Sequence, residues 1–279
     1  MQGLKMEQMK VVIFCGGTGT RLREHTEQMP KPMVPIGNKP ILWHIMKTYS
    51  QHGFKDFILC LGYKSEAIKQ YFLNYEWLHH DFTMKVGDRH QWTRHNNHEM
   101  EDWNITFAFT GHDTLTAGRL LQVKTYLEGQ KSFMFTYGDG VADIDLRALL
   151  DFHKKTGKVA TITGAHPTSK YGMIQARDDQ VITGFQQKPA LSDYINIGFG
   201  VAESSIFDNI KGRRLVMTDA PGAEETEDRM IEDVFLDLIN KQQLAMFQHE
   251  GFFHPMDTHK DYEDLNKMWS RGNAPWKVW

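Results

Sequence analysis

Apolar and polar positions follow two rhythms along this chain. Residues 11–15, VVIFC, and 57–61, FILCL, are unbroken apolar runs, and 132–136, SFMFT, reads as a third. Short continuous runs of this kind predict strands buried on both faces. Between the first two, Ile41, Leu42, Ile45, Met46 and Tyr49 recur at helical spacing, with Pro40 at a first helical position and Gly53 as the stop. Ser65 is placed to cap a helix that carries Ile68, Tyr71 and Phe72. Residues 105–109 predict a further strand, followed by a helix through Gly118, Arg119, Leu120 and Leu121. Asp145 opens a helix with Leu146, Leu149, Leu150 and Phe152, and 159–163 is the next strand. This βα alternation predicts a parallel sheet covered by helices on both faces. Shorter alternating runs at 172–176, 181–185 and 194–201 predict an antiparallel section. A helix over about 227–240, a strand at 244–247 and a helix over about 260–269 complete the pattern.

One stretch does not fit a purely structural reading. The strand at 11–15 runs into Gly16, Gly17 and Gly19, then Thr20, Arg21 and Leu22, with Lys31 between two prolines. Glycines let backbone approach a ligand closely, and N–H groups exposed in such a loop bind anions. Arg21 can fork two phosphate oxygens, and Lys31 adds a fixed charge. GGTGTR lacks the GxGxxG spacing of a dinucleotide fold. Asp139, between Gly138 and Gly140, follows a strand, where open α/β sheets place ligands. It is either a Mg²⁺ carboxylate or a turn residue. Asp257, in HPMDT, is either a second such carboxylate or a helix cap. Lys188 is a phosphate anchor or a solvated lysine, and Asn196 binds a hydroxyl or local backbone.

Composition narrows the classes. The chain has 279 residues, 41% hydrophobic content and a net charge of -3. These values predict a globular protein without nucleic acid as its main partner. Cys15 and Cys60 sit in apolar runs and read as core thiols of a reducing compartment. No apolar stretch is long enough to span a bilayer, and the start MQGLKMEQMK lacks a signal-peptide core, which points to the cytoplasm. Residues 74–103 hold five histidines and three tryptophans without HExxH or paired CxxC spacing. They read as an irregular excursion with edge strands and an oligomer contact. The acidic residues Glu224, Glu225, Glu227 and Asp228 read as a solvated loop.

GGTGTRL followed by KPMVPIGNKPIL resembles the sugar-phosphate nucleotidyltransferases. Residues 39–64, 135–146 and 251–279, with WHIMK, TYGDGVAD and APWK, resemble the cytidylyl branch in particular. The resemblance runs from Met9 to the last residue, leaving 1–8 as an extension. It implies one domain over 9–279, with a nucleotide-binding half to about 145 and a sugar-binding half beyond. It also implies a Rossmann-like mixed, mostly parallel sheet flanked by helices, with a smaller antiparallel portion. The implied reaction transfers CMP from CTP to a sugar 1-phosphate, α-D-glucose 1-phosphate, giving CDP-glucose and pyrophosphate, in a Mg²⁺-dependent homo-oligomer. On this resemblance Phe14, Cys15, Gly16, Gly17, Thr18, Gly19, Thr20 and Arg21 hold the nucleotide with Lys31, Thr114, Arg119 and Gly138. Arg21 and Lys31 are the catalytic cations, and Asp139 and Asp257 the metal ligands. Lys188, Asn196 and Gly172 face the sugar phosphate. The chain departs from the family pattern at Cys15, Thr18, Gln187, Ile197, 171–176 and 220–228. The departures on the sugar side leave open another nucleotide or sugar phosphate. A non-catalytic sugar-nucleotide-binding subunit is the reading outside the enzyme class.

Overall fold

The structure, a computed structural model, describes residues 9–17, 19, 22, 26–87, 92–95, 100–169, 171–187, 189, 191–210 and 229–279. Thr18, Thr20, Arg21, Lys188, the acidic cluster at 224–228 and the extension 1–8 lie outside the described residues. In chain order the main elements begin with β1 (Lys10–Phe14), α1 (Ile41–Gln51), β2 (Asp56–Leu61), α2 (Ser65–Leu73), β3 (Asn104–Phe109) and α3 (Thr116–Gln122). They continue with β4 (Ser132–Tyr137), β5 (Gly140–Ala142), α4 (Leu146–Thr156), β6 (Ala160–Ala165), β7 (Gly172–Ala176) and β8 (Ile182–Gln187). The last are β9 (Ile195–Glu203), α5 (Ile231–Asn240), β10 (Leu244–His249), β11 (Phe253–Pro255) and α6 (His259–Ser270).

Seven strands form the central sheet in the order β10-β6-β9-β4-β1-β2-β3. All neighbours run parallel except β9, which is antiparallel to both β6 and β4. The apolar runs are continuous because both faces are covered. Along β1, Val11 and Ile13 enter one core with α1, Leu149 and Leu265, whereas Val12 and Phe14 enter the other with Leu120, Val234 and Leu238. The sheet thus takes strands from both parts of the chain.

The pattern misplaced three features. Residues 195–203 run antiparallel to both neighbours, as expected, but inside the central sheet, whereas β7 and β8 pair as a hairpin apart from it. In β9, residues 197–202 are buried without interruption, as an interior strand requires. Ser65 is the first residue of α2 and not its cap; Lys64 holds the cap position at φ 49°, and the serine hydroxyl bonds Glu66. Pro40 precedes α1 as its cap residue. Among its described residues the excursion at 74–103 contains a helical turn, Tyr75–His79, and a short hairpin, Phe82–Met84 with Trp92–Arg94.

WHIMK and APWK, far apart in sequence, pack on each other. His44 is fully buried, with its ring 4.7 to 6.2 Å from those of Trp43, Trp269, Trp276 and Trp279. Its Nε2 lies 3.0 Å from the Ile36 carbonyl, and Trp276 Nε1 donates to its Nδ1 at 3.4 Å. That pairing requires the neutral imidazole. Burial drives its pKa from 6.5 down to about 4, against the small opposing pull of the Ile36 carbonyl. Between these values the unfolded chain takes up a proton that the folded protein refuses. Stability therefore falls as pH drops from 6.5 toward 4 and recovers as pH rises. The full window is worth about 3 kcal/mol. Urea midpoints at pH 5 and pH 7 check this: the gap between them is expected to narrow in His44→Gln.

Candidate active site

The sheet has its topological switch point between β1 and β4. From β1 the chain moves outward through β2 and β3, then returns to place β4 on the other side of β1. Loops leaving adjacent strands in opposite directions open a crevice at their carboxyl ends. Here that crevice is a cavity of about 280 Å³ lined by Phe14, Cys15, Gly16, Gly17 and Gly19, by Lys31, by Thr114 and Arg119, and by Gly138 and Asp139. The described residues of the nucleotide-side set proposed from the sequence thus share one wall system. Pro32, Leu115, Thr116, Tyr137 and Met230 complete it.

Lys31 and Asp139 meet in the lining of this cavity, and Asp257 reaches Lys31 from outside that lining. Lys31 Nζ donates to Asp139 Oδ2 at 2.7 Å and to Asp257 Oδ1 at 2.5 Å. Asp257 lies 226 residues beyond Lys31 and arrives by backbone pairing. β11 runs antiparallel to β5, directly after Asp139, and Met256 N–H donates to the Asp139 carbonyl at 2.8 Å. The α6 cap is Thr258, whose hydroxyl and backbone N–H bond Asp261, so the Asp257 carboxylate is turned to Lys31 instead. Burial alone would lower the Lys31 pKa, but the Asp139 charge and the hydrogen bonds to both aspartates outweigh it. The net shift is upward, and Lys31 stays an ammonium. Two half-exposed carboxylates with hard oxygens around one cation are also a donor set that suits Mg²⁺, which takes one or two carboxylates plus substrate oxygens. Among the described residues no group of three or more histidine, cysteine or acidic side chains forms a metal cluster.

Arg119 lines the cavity, yet its guanidinium is committed to protein oxygens. Nη1 donates to Leu61 O, Thr110 Oγ1 and Gly111 O, and Nη2 to Gly16 O and His112 O, at 2.8 to 3.2 Å. The residue is 4% exposed. It therefore ties the glycine loop to the ends of β2 and β3. A Cβ on Gly16 would lie 2.1 Å from this guanidinium, which is why the position has no side chain.

Asn196 and Gly172, the described residues proposed for the sugar side, do not line this cavity. Asn196 Oδ1 accepts from Gly198 N–H at 3.0 Å, so its amide supports local backbone. Gly172 starts β7, opposite Gln187. Ile197 is 4% exposed and packs into the core, so this departure from the family pattern does not narrow a pocket. Gly198 has φ 85°, and a Cβ there would strike the Tyr137 ring at 2.3 Å. Tyr137 was missed by sequence reasoning, as was Met230. The tyrosine ring packs beside Phe14, and its hydroxyl donates to Glu232 Oε1. Burial, the Glu232 contact and the Asp139 charge all hold its pKa above the ordinary value, so it remains a donor.

The family profile for nucleotidyl transferases matches residues 10–270. The chain belongs to that family. It is 44% identical over 272 residues to a glucose-1-phosphate cytidylyltransferase of Salmonella typhimurium, covering 97% of this chain and 100% of that protein. A mannose-1-phosphate guanyltransferase of Schizosaccharomyces pombe is 30% identical over 261 residues, 91% of this chain and 62% of that one. Among solved structures, a UDP-glucose pyrophosphorylase complexed with UDP-glucose superimposes with a TM-score of 0.65 at 16% identity, over 95% of this chain and 100% of the other. That likeness shows the nucleotidyl transferase fold: a mixed, mostly parallel sheet flanked by helices. No helix among the described residues is long and apolar enough to cross a membrane.

Proposed function

We propose that this nucleotidyl transferase moves the cytidylyl group of CTP onto α-D-glucose 1-phosphate, releasing pyrophosphate and forming CDP-glucose. The observation that carries the reading is the convergence of Asp139 and Asp257 on Lys31, with Lys31 and Asp139 lining the switch-point cavity. The full-length likeness to a protein named for this activity supports the choice of substrates.

The chemistry suits these residues. A sugar 1-phosphate is already a nucleophile and needs no general base. One of its oxygens bonds the α-phosphorus of CTP, and the bond from that phosphorus to the bridging oxygen breaks. The electron pair departs with pyrophosphate. The obstacle is repulsion between two anions, so positioning and fixed positive charge do most of the work. Lys31 is poised for this: its aspartate contacts keep it charged, and it faces the cavity. The glycine loop offers backbone close to the phosphates, and Arg119 holds that loop from behind. Arg21 is the second cation in this reading. Asp139 and Asp257 are the residues that would hold Mg²⁺, which when bound lowers the negative charge on the reacting phosphates. The homo-oligomer that belongs to this reading has a candidate contact in the 74–103 excursion, where Leu78, Met84 and Val86 are exposed.

A coupled assay of pyrophosphate release with CTP, Mg²⁺ and a panel of sugar 1-phosphates tests the proposal. Turnover is expected with CTP and glucose 1-phosphate above other pairs. Absence of release across the whole panel would overturn it.

A further inference from the structure

The cavity has an apolar side that the phosphate chemistry does not use. Leu115 and Met230, 38% and 40% exposed, present large apolar side chains to a space whose opposite features are ionic. Met230 comes from a distant part of the chain, immediately before α5, and its backbone position is fixed by its neighbours. Arg229 O accepts from Ala117 N–H at 3.1 Å, and Ile231 N–H donates to Thr116 Oγ1 at 2.8 Å. Glu232 accepts from the Tyr137 hydroxyl. Asp233 closes the turn: its carboxylate accepts from Met230 N–H at 3.1 Å, and its own N–H donates to Met230 O at 3.2 Å. The flanking residues are thus tied to α3 and to Tyr137, both of which border the cavity. What the ties hold in place is one thioether side chain, kept out of the core and aimed at the ligand space.

A sugar presents hydroxyls on most of its edges, and phosphates belong with Lys31 and the glycine loop. The substrate part that matches a rigid apolar wall is the flat face of a nucleobase. Methionine sulfur and methylenes pack well on aromatic faces, and pockets of this type combine apolar walls with a few fixed polar groups. We propose that Met230 is the nucleobase wall of the site, held in place by the Thr116, Tyr137 and Ala117 tethers, and that it sets nucleotide affinity and base preference. The proposal deepens the nucleotidyl-transfer reading and rests on it.

Calorimetric titration with CTP in the absence of sugar phosphate reads the wall without requiring turnover. Met230→Gln keeps the length of the side chain and removes its apolar end, so CTP binding is expected to weaken about tenfold. Met230→Leu restores an apolar surface and is expected to stay within about twofold of the parent protein. In steady-state kinetics the Gln variant is expected to raise KM for CTP while kcat changes little, and to lower the preference for CTP over GTP. CTP binding by Met230→Gln within about twofold of the parent would overturn the inference even with the enzyme fully active. A parent protein that binds CTP but turns over no sugar phosphate would instead overturn the proposed function, and the titration would still decide the role of Met230.

Discussion

Asp139→Ala is expected to lower kcat/KM by about a thousandfold or more, equivalent to roughly 4 kcal/mol of transition-state stabilisation. The carboxylate is one of two that converge on Lys31, and its backbone carbonyl is held independently by Met256 N–H. The side chain can therefore be removed without undoing the β5–β11 pairing. Lys31 keeps Asp257 as a partner at 2.5 Å, so no buried ammonium is stranded. The thermal midpoint is expected to move by only a few degrees. Steady-state kinetics beside a melting curve make the check: activity within tenfold of the parent protein would remove Asp139 from the reaction.

Arg119→Met is expected to do the reverse, costing stability first. The guanidinium donates to four carbonyls and one hydroxyl, in a setting that is almost wholly buried. Some acceptors have a second donor: Leu61 O also receives Thr110 N–H, and Gly16 O receives Tyr63 N–H. Gly111 O and His112 O lose their guanidinium donors. Removing so connected a buried cation costs about 3 to 5 kcal/mol, or roughly 10 °C in the melting temperature for a domain of this size. Arg119→Lys is expected to recover only part, because an ammonium cannot reproduce the planar fork. The loss should carry into KM for CTP, since the Gly16 backbone is one of the tied groups. An Arg119→Met protein that melts within about 2 °C of the parent would show that the network is redundant.

The sequence carried the strands that border this cavity well. Apolar runs at 11–15, 57–61 and 132–136 mark strands because those strands are covered on both faces and cannot alternate. Gly138-Asp139-Gly140 could be placed at a sheet edge for the same reason. Asp257 could not, because its position depends on a three-residue ribbon between β5 and β11 that no local pattern announces. Arg119 was legible as a cation of the same site as the glycine loop, and both line one cavity. Its burial and its commitment to carbonyls were not, since they come from the meeting of three loops. Met230 and Tyr137 gave no signal: a lone methionine before a helix and a tyrosine at a strand end are ordinary until the fold faces them into one cavity. WHIMK and APWK read as marks of the cytidylyl branch, and in the fold they are two sides of one packed contact, His44 with Trp276.

The β5–β11 ribbon sets an order on the life of the protein. The glycine loop and Lys31 belong to the first strands made on the ribosome, but the second carboxylate emerges 226 residues after Lys31. A nascent chain carries the glycine loop and Lys31 long before it carries Asp257. Chemistry that needs both carboxylates therefore waits on synthesis, and a chain cut short before Pro255 lacks Asp257 together with Met256, Leu265 and Trp276, which pack in the core beside Val11 and Ile13.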